Sequence, residues 1–137
     1  MLRLGCALMR GKINSVARKQ QINDFSGLRY GKITPTDIDG VIEYKDRATV
    51  FIEVKYAGAR LPFGQRLALQ RLVNDVAAAG KRAIAIVVDH DVHDTDDSIP
   101  VADCKVREFC LCNETVWRPP KKRTTVREMI DEFLQAV

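Results

Sequence analysis

Thr34 to Tyr56 reads T-P-T-D-I-D-G-V-I-E-Y-K-D-R-A-T-V-F-I-E-V-K-Y, and one loop later Gly64 to Gln70 reads G-Q-R-L-A-L-Q. Two runs rich in Val, Ile, Phe and Tyr flank the polar centre Tyr44-Lys45-Asp46-Arg47-Ala48, which is the pattern of a β-hairpin. A turn around Asp46 places opposite one another residues whose numbers sum to about 92. Asp39 then faces Glu53, and Asp37 faces Lys55. Side chains alternate along a strand, so Asp37, Asp39, Glu53 and Lys55 share one side of the ribbon. Ile38, Ile42, Val50, Ile52 and Val54 take the other, the expected core face.

Directly opposed residues have Cβ atoms roughly 5 Å apart, close enough for two carboxylates to share one hard cation. Carboxylates set among Val, Ile and Phe need such compensation, because burial disfavours their charge and two of them repel. Mg²⁺ suits the group, since it takes oxygen ligands, binds one or two carboxylates and keeps several waters. Lys55 can orient or help deprotonate an attacking water and offset charge on a phosphate. The plain structural alternative is a cross-strand ion pair worth about 0.2 to 1 kcal/mol.

Asp39, a thirteen-residue spacer and Glu53-Val54-Lys55 together resemble the PD-(D/E)XK nuclease superfamily, and Gly64-Gln65 resembles the helix opening of some of its branches. The likeness spans about residues 34 to 88 and points toward the Holliday junction resolvase and RecB-like group. It implies an α/β, restriction-endonuclease-like αβββαβ core, a mixed central sheet flanked by helices. It also implies hydrolysis of DNA phosphodiester bonds with Mg²⁺ or Mn²⁺. By the same likeness Asp39, Glu53 and the carbonyl of Val54 hold the metal, Lys55 positions water, and Gln65 reaches the site. Asp37 is a supporting acid or an alternative ligand, because Thr36-Asp37 and Ile38-Asp39 stand where the family pattern has Pro-Asp. Many members carry a glutamate on the first helix; residues 12 to 23 contain none, so a second metal lacks its usual ligand. The rival reading is a catalytically inactive nucleic-acid-binding or interaction module on the same fold.

The length of 137 residues favours one domain, with its core at about 12 to 112 and a basic segment and helix at 117 to 137. The net charge is +4, and its distribution says more. Residues 1 to 36 hold seven cations against Asp24 alone, and Arg118, Lys121, Lys122, Arg123 and Arg127 form a second cluster. Basic flanks around an acidic centre suit a polyanion such as DNA. No apolar run has the length of a membrane helix, and Met1 to Met9 is too short for a secretory signal. A cytoplasmic protein with no membrane partner is expected. A domain this small covers little duplex, so a homodimer or a larger DNA-processing complex is expected too.

Elsewhere the pattern predicts a helix over about 12 to 23, then a connector from Asp24 to Ile33. Arg29 and Tyr30 in that connector can meet a sugar or phosphate, or simply pack and face solvent. Arg60 lies in a turn-rich loop and joins the candidate phosphate contacts. A helix is expected from Pro62 or Phe63 to Ala79 with Leu69, Leu72, Val73 and Val76 as its stripe, ended by Gly80. Arg82 to Val88 reads as a strand buried on both faces, parallel to the hairpin through a right-handed crossover.

Asp89 to Asp97, with His90, His93 and five Asp, reads as a solvated loop away from the substrate path. Val101 to Cys112 reads as a strand. Cys104, Cys110 and Cys112, with Cys6, are read as free thiols of a reducing cytosol rather than ligands of an iron-sulfur cluster, since C-x5-C-x-C departs from the usual C-x2-C pair. Trp117 can stack on a base beside Arg118 and the Lys121 to Arg123 run, or pack under the last helix. That helix is expected over Thr125 to Ala136, opened by the capping box Thr125 to Glu128.

Overall fold

The hairpin forms where the turn chemistry allows it. Lys45 and Asp46 both take positive φ, at 52° and 59°, a conformation that short polar side chains such as Asp tolerate better than branched ones. The Arg47 N–H donates to the Tyr44 carbonyl at 2.9 Å and closes the turn. The flanking strands are β1 (Gly40–Tyr44) and β2 (Ala48–Tyr56), antiparallel, with Gly40 opposite Ile52 and Tyr44 opposite Ala48. That is the register expected from the sequence.

The computed structural model describes residues 13, 15–112, 114 and 116–137. It divides into two compact units, one ending at Pro35 and the other spanning Thr36 to Val137. Within the first, Ser15 caps the short helix α1 (Val16–Gln20), much shorter than the helix expected over 12 to 23. Tyr30 and Ile33 then form an isolated bridge around Gly31, which has φ of 66°. The start of the expected helix and Cys6 lie outside the described residues.

In the second unit, α2 (Phe63–Ala78) follows β2, and β3 (Arg82–His90) returns parallel to it. Gly80 terminates α2 at φ of 84°, where any side chain would be strained. A 3₁₀ turn (Val101–Asp103) leads into β4 (Lys105–Leu111), antiparallel to β3, and α3 (Val126–Gln135) ends the chain. Here the strand expected over 101 to 112 is shorter, because Pro100 precedes the turn. The capping box of α3 is formed, Thr125 accepting from the Glu128 N–H and Glu128 from the Thr125 N–H. The fold is α/β: an open, mixed sheet of order β1-β2-β3-β4 with helices on its faces. Among the described residues two strands precede the long helix, where the αβββαβ order has three; Gly27, Gly31 and Pro35 interrupt the stretch before β1.

Both faces of the sheet carry a core, as expected for a sheet flanked by helices. Val50, Ile84, Ile86, Val88 and Val106 pack with Val126 and Phe133 of α3. Phe51, Ala83 and Ala85 pack with Leu69 and Val73 of α2, and Ile38 joins this second cluster. The assignment of Ile38 to the same face as Val50 is therefore corrected. It precedes β1, so strand alternation does not govern it. Fully buried Val and Ile side chains contribute about 1.5 to 3 kcal/mol each, and β3, with Ala83 to Val88 all buried, anchors both cores.

Candidate functional site

The face under α2 carries the acids. Phe51 fixes the direction of the odd-numbered β2 residues, so Glu53 and Lys55 point the same way, toward the first turn of α2. Glu53 is 4% exposed. Lys55 Nζ lies 3.4 Å from its Oε1, while its buried Oε2 accepts no hydrogen bond from any described residue. Asp39 lies just before β1, outside the ladder that would set it opposite Glu53, and is exposed; its Oδ2 accepts from the Val54 N–H at 2.7 Å. Gln65 Nε2 donates to the Asp37 carbonyl at 3.0 Å, tying the α2 N-terminus to the segment before β1 that carries Asp39.

These surroundings act on Glu53 in opposite directions. Burial, and then the negative charge of Asp39, push its carboxyl up to about 7, while Lys55 and the Gln65 amide favour the charged form. Lys55 pairs with Glu53, two positions along its own strand, rather than with Asp37. Asp37 enters the site through its backbone carbonyl and is exposed.

A buried carboxylate oxygen without a donor, next to a second acid, is a place where a cation lowers the energy. The donor set is all oxygen and fits Mg²⁺ or Mn²⁺. Among the described residues no group of three or more His, Cys, Asp or Glu side chains converges on one point, so the side-chain ligands on offer are the two carboxylates of Asp39 and Glu53. Mg²⁺ needs no more when water completes its shell.

The group has a pH signature. Because the folded-state value of Glu53 lies near 7, above the ordinary 4.5, the folded protein holds this proton more tightly than the unfolded chain. Stability is therefore full below about pH 4.5 and is lost as pH rises through 7, by about 3 kcal/mol at most. In chelator, wild type is expected to lose stability between about pH 4.5 and 7, and Glu53→Gln to flatten that loss. Urea melts at several pH values measure it, and equal slopes for the two proteins would contradict the burial of this group.

The other expected contacts fare differently. Arg60 is exposed in the loop after β2. Lys121, Lys122 and Arg123 are exposed on an arch that pairs with β4 at both ends. Arg118 is drawn away from them: it pairs with Glu114 at 3.0 Å and lies over the Phe109 ring, on the α3 side. Arg29 and Tyr30 belong to the first unit, where Arg29 donates to the Gly31 carbonyl and Tyr30 is exposed. Trp117 packs with the α2 cluster beneath the Arg66 guanidinium, 4.9 Å from its ring centre, so it neither stacks outward nor lies under α3. Cys104 packs on the α3 side and Cys112 on the α2 side, and burial pushes the thiols of Cys104 and Cys110 up.

Two side chains escaped sequence reasoning. Asp89, assigned to a loop away from the site, lies in β3 directly beside Lys55, and Arg107 pairs with it. The signal for Arg107 is the spacing of Val106, Phe109 and Leu111, three and then two residues, which breaks strict alternation. No family model matches the chain, and no curated protein or solved structure matches it either. The reading of the site therefore rests on its residues and their geometry.

Proposed function

We propose that this protein hydrolyses DNA phosphodiester bonds with Mg²⁺ or Mn²⁺, as a nuclease of the PD-(D/E)XK type on a restriction-endonuclease-like fold. The observation that carries this reading is Glu53: a buried carboxyl whose Oε2 accepts no hydrogen bond from a described residue, held against the charge of Asp39, with the Lys55 ammonium 3.4 Å from its Oε1. An ordinary structural ion pair would satisfy its acid and would not crowd a second one onto it.

Asp39 and Glu53 would hold the ion through their carboxylates, with the Val54 carbonyl beside them. When bound, the ion acts as a Lewis acid toward the phosphate. Asp39 is oriented for this by the Val54 N–H on its Oδ2. Lys55 supplies positive charge where the attacking water and the phosphate oxygens meet. Gln65, anchored on the Asp37 carbonyl, keeps the first turn of α2 against the site, and its amide favours the charged form of Glu53. The hairpin, the helix after it and the parallel return strand support the finer fold assignment.

The test is cleavage of labelled duplex, branched and single-stranded DNA with Mg²⁺, Mn²⁺ or chelator. Asp39→Asn is expected to abolish cleavage, whereas Asp37→Asn, which keeps the backbone carbonyl that Gln65 uses, lowers it less than tenfold. Absence of metal-dependent cleavage on every substrate refutes the reading. The opposite ranking of the two variants moves the metal from Asp39 to Asp37.

A further inference from the structure

Strand β4 carries one residue more than its ladder uses. Val87 opposes Glu108 and Val88 opposes Val106, so Arg107 is bulged out between them. A bulge re-aims side chains, and here the effect can be read from the contacts. Val106 points into the α3 core, yet Arg107 Nε donates to Asp89 Oδ1 at 2.8 Å and its Nη1 donates to the Ala59 carbonyl at 2.7 Å. Nη2 also meets Asp89. These contacts engage three of the five guanidinium N–H donors, which leaves two for a further ligand.

The bulge places Arg107 in a particular row. Lys55, Asp89 and Lys105 are register partners across β2, β3 and β4, so Asp89 and Lys105 share the sheet face of Lys55. Outside β4 the chain comes back along the same edge. The Arg118 carbonyl accepts from the Phe109 N–H at 2.9 Å, and the Thr124 carbonyl from the Val106 N–H at 2.9 Å. Between these two fixed points Pro119-Pro120-Lys121-Lys122-Arg123 arches away from the strand. A groove of about 300 Å³ lies under the arch, lined by Lys105, Arg107, Lys121, Lys122 and Arg123 with Asp89 as its acid. Five cations surround one carboxylate, and that carboxylate is already paired.

We propose that this groove holds the phosphate backbone of a nucleic-acid strand beside Lys55, with Arg107 as a substrate-positioning residue set in place by the bulge. What the strand is held for rests on the hydrolysis proposed above; that it is held here does not. Cations spread along an arch suit a repeating polyanion, whose counterions are released contact by contact, better than a single small anion. Asp89 orients the guanidinium toward the groove and at the same time opposes the ligand's charge.

Binding of a fluorescein-labelled 20-nucleotide single strand, and of its duplex, is measured by anisotropy in chelator, so that no cleavage intervenes, between 50 and 200 mM salt. Lys121→Ala/Lys122→Ala/Arg123→Ala is expected to weaken binding at least tenfold and to flatten the salt dependence by about two to three contacts. Arg107→Met weakens it about fivefold and flattens it by about one, whereas Asp89→Asn tightens it. Thermal melts establish that each variant is folded, and the arch variant, confined to exposed residues, carries the test if Arg107→Met is not. Wild-type affinity and salt slope in the arch variant overturn the proposal, as does binding to phosphatidylglycerol vesicles but to neither oligonucleotide. A wild type that binds through the groove yet cleaves nothing with Mg²⁺ supports the groove and refutes only the hydrolysis.

Discussion

Lys55→Met is expected to slow phosphodiester cleavage by about 10²- to 10⁴-fold while changing DNA affinity in chelator by no more than about threefold. The side chain stands 3.4 Å from Glu53 and four-fifths buried, so in the proposed mechanism its charge is directed at the reacting centre rather than at holding a strand. The loss should therefore appear in kcat, with kcat/KM falling in parallel. One indirect route can be separated. Lys55 favours the charged form of Glu53, so its removal drives that carboxyl further up and weakens metal binding at neutral pH. Raising the assay to pH 8.5 and saturating with Mn²⁺ removes this contribution. A variant that regains wild-type turnover under those conditions shows Lys55 acting only through Glu53, and one fully active at pH 7 eliminates the mechanism.

Asp39→Asn should melt at or above wild type in chelator and lose all stabilisation by metal. Asp39 is the second cause of the raised Glu53 carboxyl, after burial. Removing its charge relieves that repulsion, and the amide oxygen can still accept from the Val54 N–H that now donates to Oδ2 at 2.7 Å. Wild type with metal at a hundred times its dissociation constant gains about 2.7 kcal/mol, on the order of 10 °C for a chain of this size. Melts of both proteins in chelator and in millimolar Mn²⁺ decide the matter. A variant that melts lower in chelator, beside a wild type indifferent to metal, identifies the acids as ordinary ion-pair partners.

The hairpin, its register, the long helix, the buried return strand and the capped final helix were all legible along the chain, because each depends on near neighbours. Alternation over Val50 to Lys55, a turn that accepts positive φ at Lys45 and Asp46, Gly80 after an apolar stripe, and Thr125 three residues before Glu128 are local features with local causes. For the same reason the candidate site could be assembled in outline: Asp39, Glu53 and Lys55 are joined by one hairpin, and Gln65 opens the element that follows it.

Only the tertiary structure decided what lies across the sheet and on its second face. That Glu53 is buried, that Lys55 chooses it over Asp37, and that Trp117 lies under Arg66 follow from where α2 settles. That Arg118 leaves its basic neighbours for Phe109, and that Arg107 turns toward Asp89, follow from how β4 and the arch meet the sheet edge. Most of these outcomes depend on contacts between residues far apart in the chain, such as Asp39 with Val54 and Arg107 with Ala59. Such contacts form only when separate elements bury their faces against one another, and no periodicity within a single segment encodes them.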